Sequence, residues 1–85
     1  MKLNTGSVVR ANAGRDGGGL FVVVSADDKY CFIADGKSRK LASPKRKNIK
    51  HICRTNSMID INNITDKKLR TLLRDFEGGE QEEVI

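Results

Sequence analysis

Two apolar bursts dominate the pattern of this chain: LFVVVSA at 20–26 and YCFIA at 30–34. The first opens with five apolar residues and no alternation. Such a run predicts a strand covered on both faces, as in a small barrel. Between the bursts lies DDK at 27–29, where aspartate side chains can bond their own backbone and turn the chain. Residues 20–34 therefore read as a hairpin. Upstream, TGSVVRANA at 5–13 carries the β-branched pair Val8 and Val9 and predicts a short strand. GRDGGG at 14–19 breaks it. Downstream, Asp35-Gly36 suits a type I′ turn. It predicts a return strand SRKLA at 38–42, ended by Pro44, with Lys45, Arg46 and Lys47 following in an exposed loop. NIKHICRT at 48–55 reads as a fifth strand. Its Ile49 and Ile52 stand three apart, so alternation fails and a bulge is expected.

The period changes after residue 63. Leu69, Leu72, Leu73 and Phe76 recur at i, i+3, i+4 and i+7, the stripe of an amphipathic helix. Thr65 is placed as its N-cap, and Asp66 falls in the first turn, where the helix dipole favours an acid. Ile64 and Leu69 are spaced as a hydrophobic staple. Gly78 and Gly79 are expected to stop the helix, leaving EQEEVI as a frayed acidic tail. Three turns are too short to persist alone, so the stripe must dock on the β part or on a partner. The outline is mainly β: a small SH3-like barrel of about five strands with a C-terminal amphipathic α-helix. The expected division is a barrel over 1–55, a connector and helix over 56–79, and the tail over 80–85.

The length of 85 residues suits one domain. Trp is absent, and Phe21, Tyr30, Phe32 and Phe76 are the only aromatics, which argues against a deep apolar ligand pocket. Charge adds more. The net of +5 is segregated: residues 75–85 carry −5, leaving +10 on the first 74. The window 35–54 holds Lys37, Arg39, Lys40, Lys45, Arg46, Lys47, Lys50 and Arg54 against Asp35 alone, a net of +7. A single-sign field of that density favours a polyanion, most commonly nucleic acid, over a plain solvated surface. Cys31 and Cys53 lack CxxC spacing, so both are read as small buried hydrophobes and no metal site is expected. With no signal peptide and no apolar run of membrane length, the expected location is cytoplasmic, with no membrane partner.

TGSVVRANAGRDGGGLFVVV resembles the KOW motif, in which a strand, a glycine loop and a second strand form part of an SH3-like barrel. The likeness is nearest to bacterial KOW-domain RNA-binding proteins related to the ribosomal protein L-fourteen-e family. It extends through ADGKSRKLASPKRKNIKHI at 34–52, similar to that group's basic second hairpin. Gly14 matches the motif's first loop glycine, and Gly17-Gly18 fills the place of its Lys-Gly pair. Gly17 thus replaces the loop lysine. Gly19 stands where the group tends to have a basic residue. Phe21 stands where the general motif has glycine and this group prefers an apolar residue. The resemblance implies RNA as the partner, with ribosomal RNA or ribosomal particles foremost.

The glycine cluster admits two readings. Glycines take positive φ angles cheaply in a tight reversal, and bare backbone N–H groups can approach a phosphate. Tyr30 and Phe32 alternate onto one strand face, either as core or with Tyr30 stacking on a base. His51 is expected to be solvated or to face RNA, and no catalytic arrangement surrounds it. Asp27, Asp28 and Asp35 are turn residues first. The expected protein is an RNA binder without cofactor, small-molecule substrate or enzymatic activity. Lys37, Arg39, Lys40, Lys45, Arg46, Lys47 and Lys50 would contact phosphates, and Arg10 and Arg15 would extend the patch. The alternative is an interaction module that docks a ribosomal protein or a translation or transcription factor through the barrel or the helix stripe.

Overall fold

In a computed structural model of the chain, residues 3–11 and 19–83 are described, 77–83 by backbone alone. Among the described residues five strands follow one another: β1 (Ser7–Ala11), β2 (Leu20–Ala26), β3 (Tyr30–Ala34), β4 (Lys45–Asn48) and β5 (Ile52–Met58). A 3₁₀ turn, Ile49–His51, joins the last two, and one helix, α1 (Asp66–Glu83), closes the chain. All pairings are antiparallel, in the order β4-β3-β2-β1-β5.

That order forces the sheet to curl. β4 and β5 are opposite edges, yet four Cα steps separate Asn48 from Ile52. In a flat sheet the edges would lie about 19 Å apart. Four steps span at most about 14 Å when extended, and a 3₁₀ turn covers less. The sheet therefore bends into a small barrel-like curl, as the sequence predicts, left open because β4 and β5 are not paired.

Strand alternation builds two cores from one sheet. Val9, Phe21, Val23, Cys31 and Ile33 point into the curl, where Leu3 and Ala11 join them. Val8, Leu20, Val22 and Ala34 point outward and are covered by Leu69 and Leu73 of α1. The register aligns both sets, pairing Val9 with Phe21 and Val23 with Ile33 on one face, Val8 with Val22 and Val22 with Ala34 on the other. The unbroken LFVVV run thus has two covers, the barrel interior and the helix. Between Val23 and Ser25 the β2–β3 register slips by one residue. The slip reverses the facing of the strand end, so Ala26 packs with the inner cluster.

Gly6 ties the start of β1 to the middle of β2 and to the residue after β5. Its N–H donates to the Val23 carbonyl (2.8 Å), and its carbonyl accepts from Ile59 N–H (2.7 Å). Its φ is +92°, and a Cβ there would strike the Ile59 carbonyl oxygen, so glycine is required twice over.

Several local expectations are corrected. No strand forms over 38–42. Asp35 does not take the positive φ of a type I′ turn; of the pair, only Gly36 does, at +77°. Residues 35–44 form a structured loop whose donors are used elsewhere: Ser43 N–H bonds Lys40, and Leu41 N–H bonds the Asp66 carboxylate. The strand comes later. Pro44, which lacks an N–H, precedes β4 rather than ending a strand. Lys45, Arg46 and Lys47 are therefore strand residues, with Lys47 half-buried. The Ile49/Ile52 spacing reflects the 3₁₀ turn, whose three-residue period brings both onto the inner cluster. The irregularity of β5 lies further on, between Arg54 and Met58. There the Thr55 hydroxyl donates to the Val8 carbonyl (2.7 Å). Cys31 is buried but Cys53 is exposed, because it pairs with Arg10 on an edge strand.

At the helix, Lys68 N–H donates to Thr65 Oγ1 (3.1 Å), as expected of an N-cap. Ile64 and Leu69 belong to one cluster. Gly78 and Gly79 do not stop α1, which continues to Glu83. A helical glycine costs about 1 kcal/mol, which weakens a helix without ending it. Residues 80–83 are accordingly helical.

Candidate nucleic-acid interface

The basic residues of 35–54 lie along the polar margin of the sheet, on the β3–β4 loop, β4, the 3₁₀ turn and β5. Asp35 organises the first group. Its Oδ1 accepts from Lys37 N–H (2.8 Å) and Arg39 N–H (2.9 Å), and its own N–H donates to the Arg39 carbonyl. This is the turn chemistry expected of it. The loop so formed exposes Lys37 and Lys40 and leaves Arg39 half-buried.

β4 carries the second group. Its four residues have no apolar period, and the strand exists because it pairs with β3: Ile33 faces Lys45, Phe32 faces Arg46, Cys31 faces Lys47 and Tyr30 faces Asn48. Alternation places Arg46 on the face of Phe32 and Tyr30. The Arg46 guanidinium lies 4.8 Å from the centre of the Tyr30 ring, a cation–π contact. Both aromatics are half-buried, between the two sequence readings. On this margin the Asp27 carboxylate accepts from Lys29 N–H (2.8 Å) and Tyr30 N–H (2.7 Å) and fixes the β2–β3 turn. Lys50 is exposed on the 3₁₀ turn, where Asn48 Oδ1 accepts its N–H (2.9 Å). His51 is exposed beside it.

Arg10 is half-buried on β1, opposite Leu20 and Cys53, two strands away from β3. Arg15 and the loop glycines Gly14, Gly17 and Gly18 lie outside the described residues.

The helix supplies cations that sequence reading left in the overall charge. Lys67, Arg70 and Arg74 are exposed at i, i+3 and i+7. The same periodicity that picks out the leucine stripe picks out this basic one. Arg70 Nη1 donates to the Gly36 carbonyl (2.8 Å), and Gly36 lies so close to Asp66 that a Cβ would strike its carbonyl oxygen. The β3–β4 loop and the start of α1 therefore form one bonded unit. Leu69 and Leu73 of the apolar stripe are buried against the chain's own strands.

No family model matches this chain, and no curated protein matches it in sequence.

Proposed function

We propose that this protein binds RNA through the β3–β4 loop and the outer edge of β4, with ribosomal RNA or ribosomal particles as the target. The observation that carries the reading is Arg46 on an exposed edge strand with its guanidinium over Tyr30, and the exposed Lys45 next to it in sequence on the strand's other face. A guanidinium packed over a ring can still meet an unstacked base, and neighbouring lysines neutralise phosphates. Lys37, Lys40 and Lys50 are exposed as well, the first two on the loop before β4 and the third on the turn after it. Contacts of this kind give affinity and position, with little sequence discrimination. The choice of RNA over DNA follows from the KOW resemblance.

The test is a titration of single-stranded oligoribonucleotide at several salt concentrations, read by fluorescence anisotropy. Neutralising four to six phosphates gives log K against log salt a slope of roughly −3 to −5. Lys45→Gln with Arg46→Gln is expected to lower affinity about tenfold and flatten the slope by roughly 1.4. A wild-type response independent of salt rejects the reading.

A further inference from the structure

A separate cleft opens where α1 meets the β3–β4 loop. Among the described residues its cations are Lys37, Lys67, Arg70 and Arg74, its apolar side is Leu20 and Leu73, and Asp35 is its one carboxylate. The lining thus carries a net of +3, on a floor of two leucines that are almost fully buried. We propose that this cleft is a phosphate-binding site, separate from the β4 edge and sharing with the surface proposed above only the β3–β4 loop and its Lys37.

Three features support it. The first is convergence. Lys37 comes from the loop after β3 and the other three cations from one side of α1, so elements far apart in sequence point like charges at one space. Like charges gathered this way repel, and an anion relieves the repulsion.

The second is rigidity. Arg70 is tied to the Gly36 carbonyl through Nη1, which uses one of five guanidinium N–H donors and leaves the fork held at the cleft. Lys37 stands on a loop that is itself fixed, by Asp35 from within and by the Asp66 carboxylate on Leu41 N–H from the helix. Donors held in place before the ligand arrives lose less freedom on binding.

The third is the state of the one acid. Asp35 Oδ1 already accepts two backbone N–H groups, so this carboxylate serves the loop's own turn. The Thr71 hydroxyl, also on the cleft wall, donates to the Lys67 carbonyl (3.1 Å) and can still accept.

The phosphate has two possible sources: the backbone of an RNA that also lies on β4, or a small phosphorylated ligand. The first source rests on the reading above; the site itself does not.

The experiment follows backbone amide resonances of residues 36, 37, 71 and 74 in the full chain. One arm adds single-stranded oligoribonucleotide, and the other adds inorganic pyrophosphate. The comparison variant is Lys67→Gln with Arg74→Gln, at two exposed helix positions outside the apolar stripe. Shifts in the RNA arm, lost in the variant, support the site with RNA as its source. RNA affinity in the variant is then expected to fall roughly tenfold, as for two exposed ion pairs. Its salt slope is expected to flatten by about 1.4. Shifts in the pyrophosphate arm alone, again lost in the variant, support the site with a small ligand as source. Silence of these amides in both arms overturns the inference, as does persistence of the shifts in the variant. If that silence accompanies RNA binding that the Lys45/Arg46 variant weakens, the cleft fails and the β4 reading stands. If RNA does not bind while pyrophosphate moves the amides, the β4 reading fails and the cleft stands.

Discussion

The three central strands and the two edge strands of this sheet are built of different material. β1, β2 and β3 hold ten of the buried core side chains, among them Val9, Val22, Val23 and Ile33 with no exposure at all. β4 and β5 hold no buried residue, and they carry Lys45, Arg46, Lys47 and Arg54. Apolar burial on two faces stabilises the centre, at about 1.5–3 kcal/mol for each large side chain. The edges owe their conformation to pairing with that centre. A fold divided this way can change its surface charge with little effect on its core, so surface charge and stability are separable by mutation.

The hardest test of that division is at the outer core. Leu69 has no exposure and is the helix residue that seals Val8, Val22 and Ala34. Leu69→Ala is expected to cost about 3 kcal/mol, measured by urea denaturation, from lost transfer energy and the cavity left behind. A cost below 1 kcal/mol would show that α1 covers the sheet without supporting it.

Gly36→Ala probes a place where the polar side is structural. The substitution meets both a positive φ of +77° and the Asp66 carbonyl. About 2 kcal/mol of destabilisation is expected in the same assay. An unchanged denaturation midpoint would mean that the loop and the helix separate freely.

The smallest effect is expected from the thiols, which sample both regions. Burial pushes the Cys31 thiol up from its ordinary range, and the negative charge of Asp27 adds to the shift. Less thiolate and no access make it inert. Iodoacetamide at neutral pH should modify exposed Cys53 alone in the folded chain, and both cysteines in denaturant. The Cys53 adduct should change stability by no more than about 0.5 kcal/mol. Equal labelling of the two in the folded state would contradict a closed centre.

Legibility in the sequence follows the same boundary. β2 and β3 begin and end where the apolar bursts do, because local pattern and tertiary burial agree there. The start of α1 is equally readable, since Thr65 caps Lys68 from three residues away. β4 is not readable: KRKN has neither apolar period nor β-branched residues and is a strand through its partner. The 35–44 loop is hidden for a related reason, because Leu41 N–H is bonded by Asp66, distant in sequence. Of the interface, the charge density of 35–54 was visible, and so was the possibility that Tyr30 stays partly exposed. The cleft was hidden, because Lys37 and the basic stripe of α1 meet only in the folded chain.

The open edge of β4 bears on solubility as well. An edge strand displays a row of unpaired backbone donors and acceptors, a template on which a second copy could add its own strand. Lys45, Arg46 and Lys47 oppose this, since two such edges brought together would align three cations against three. Any polyanion that neutralises the edge also removes the repulsion between copies. Self-association should therefore peak near charge balance and vanish with excess of either component, and turbidity across a titration would record it.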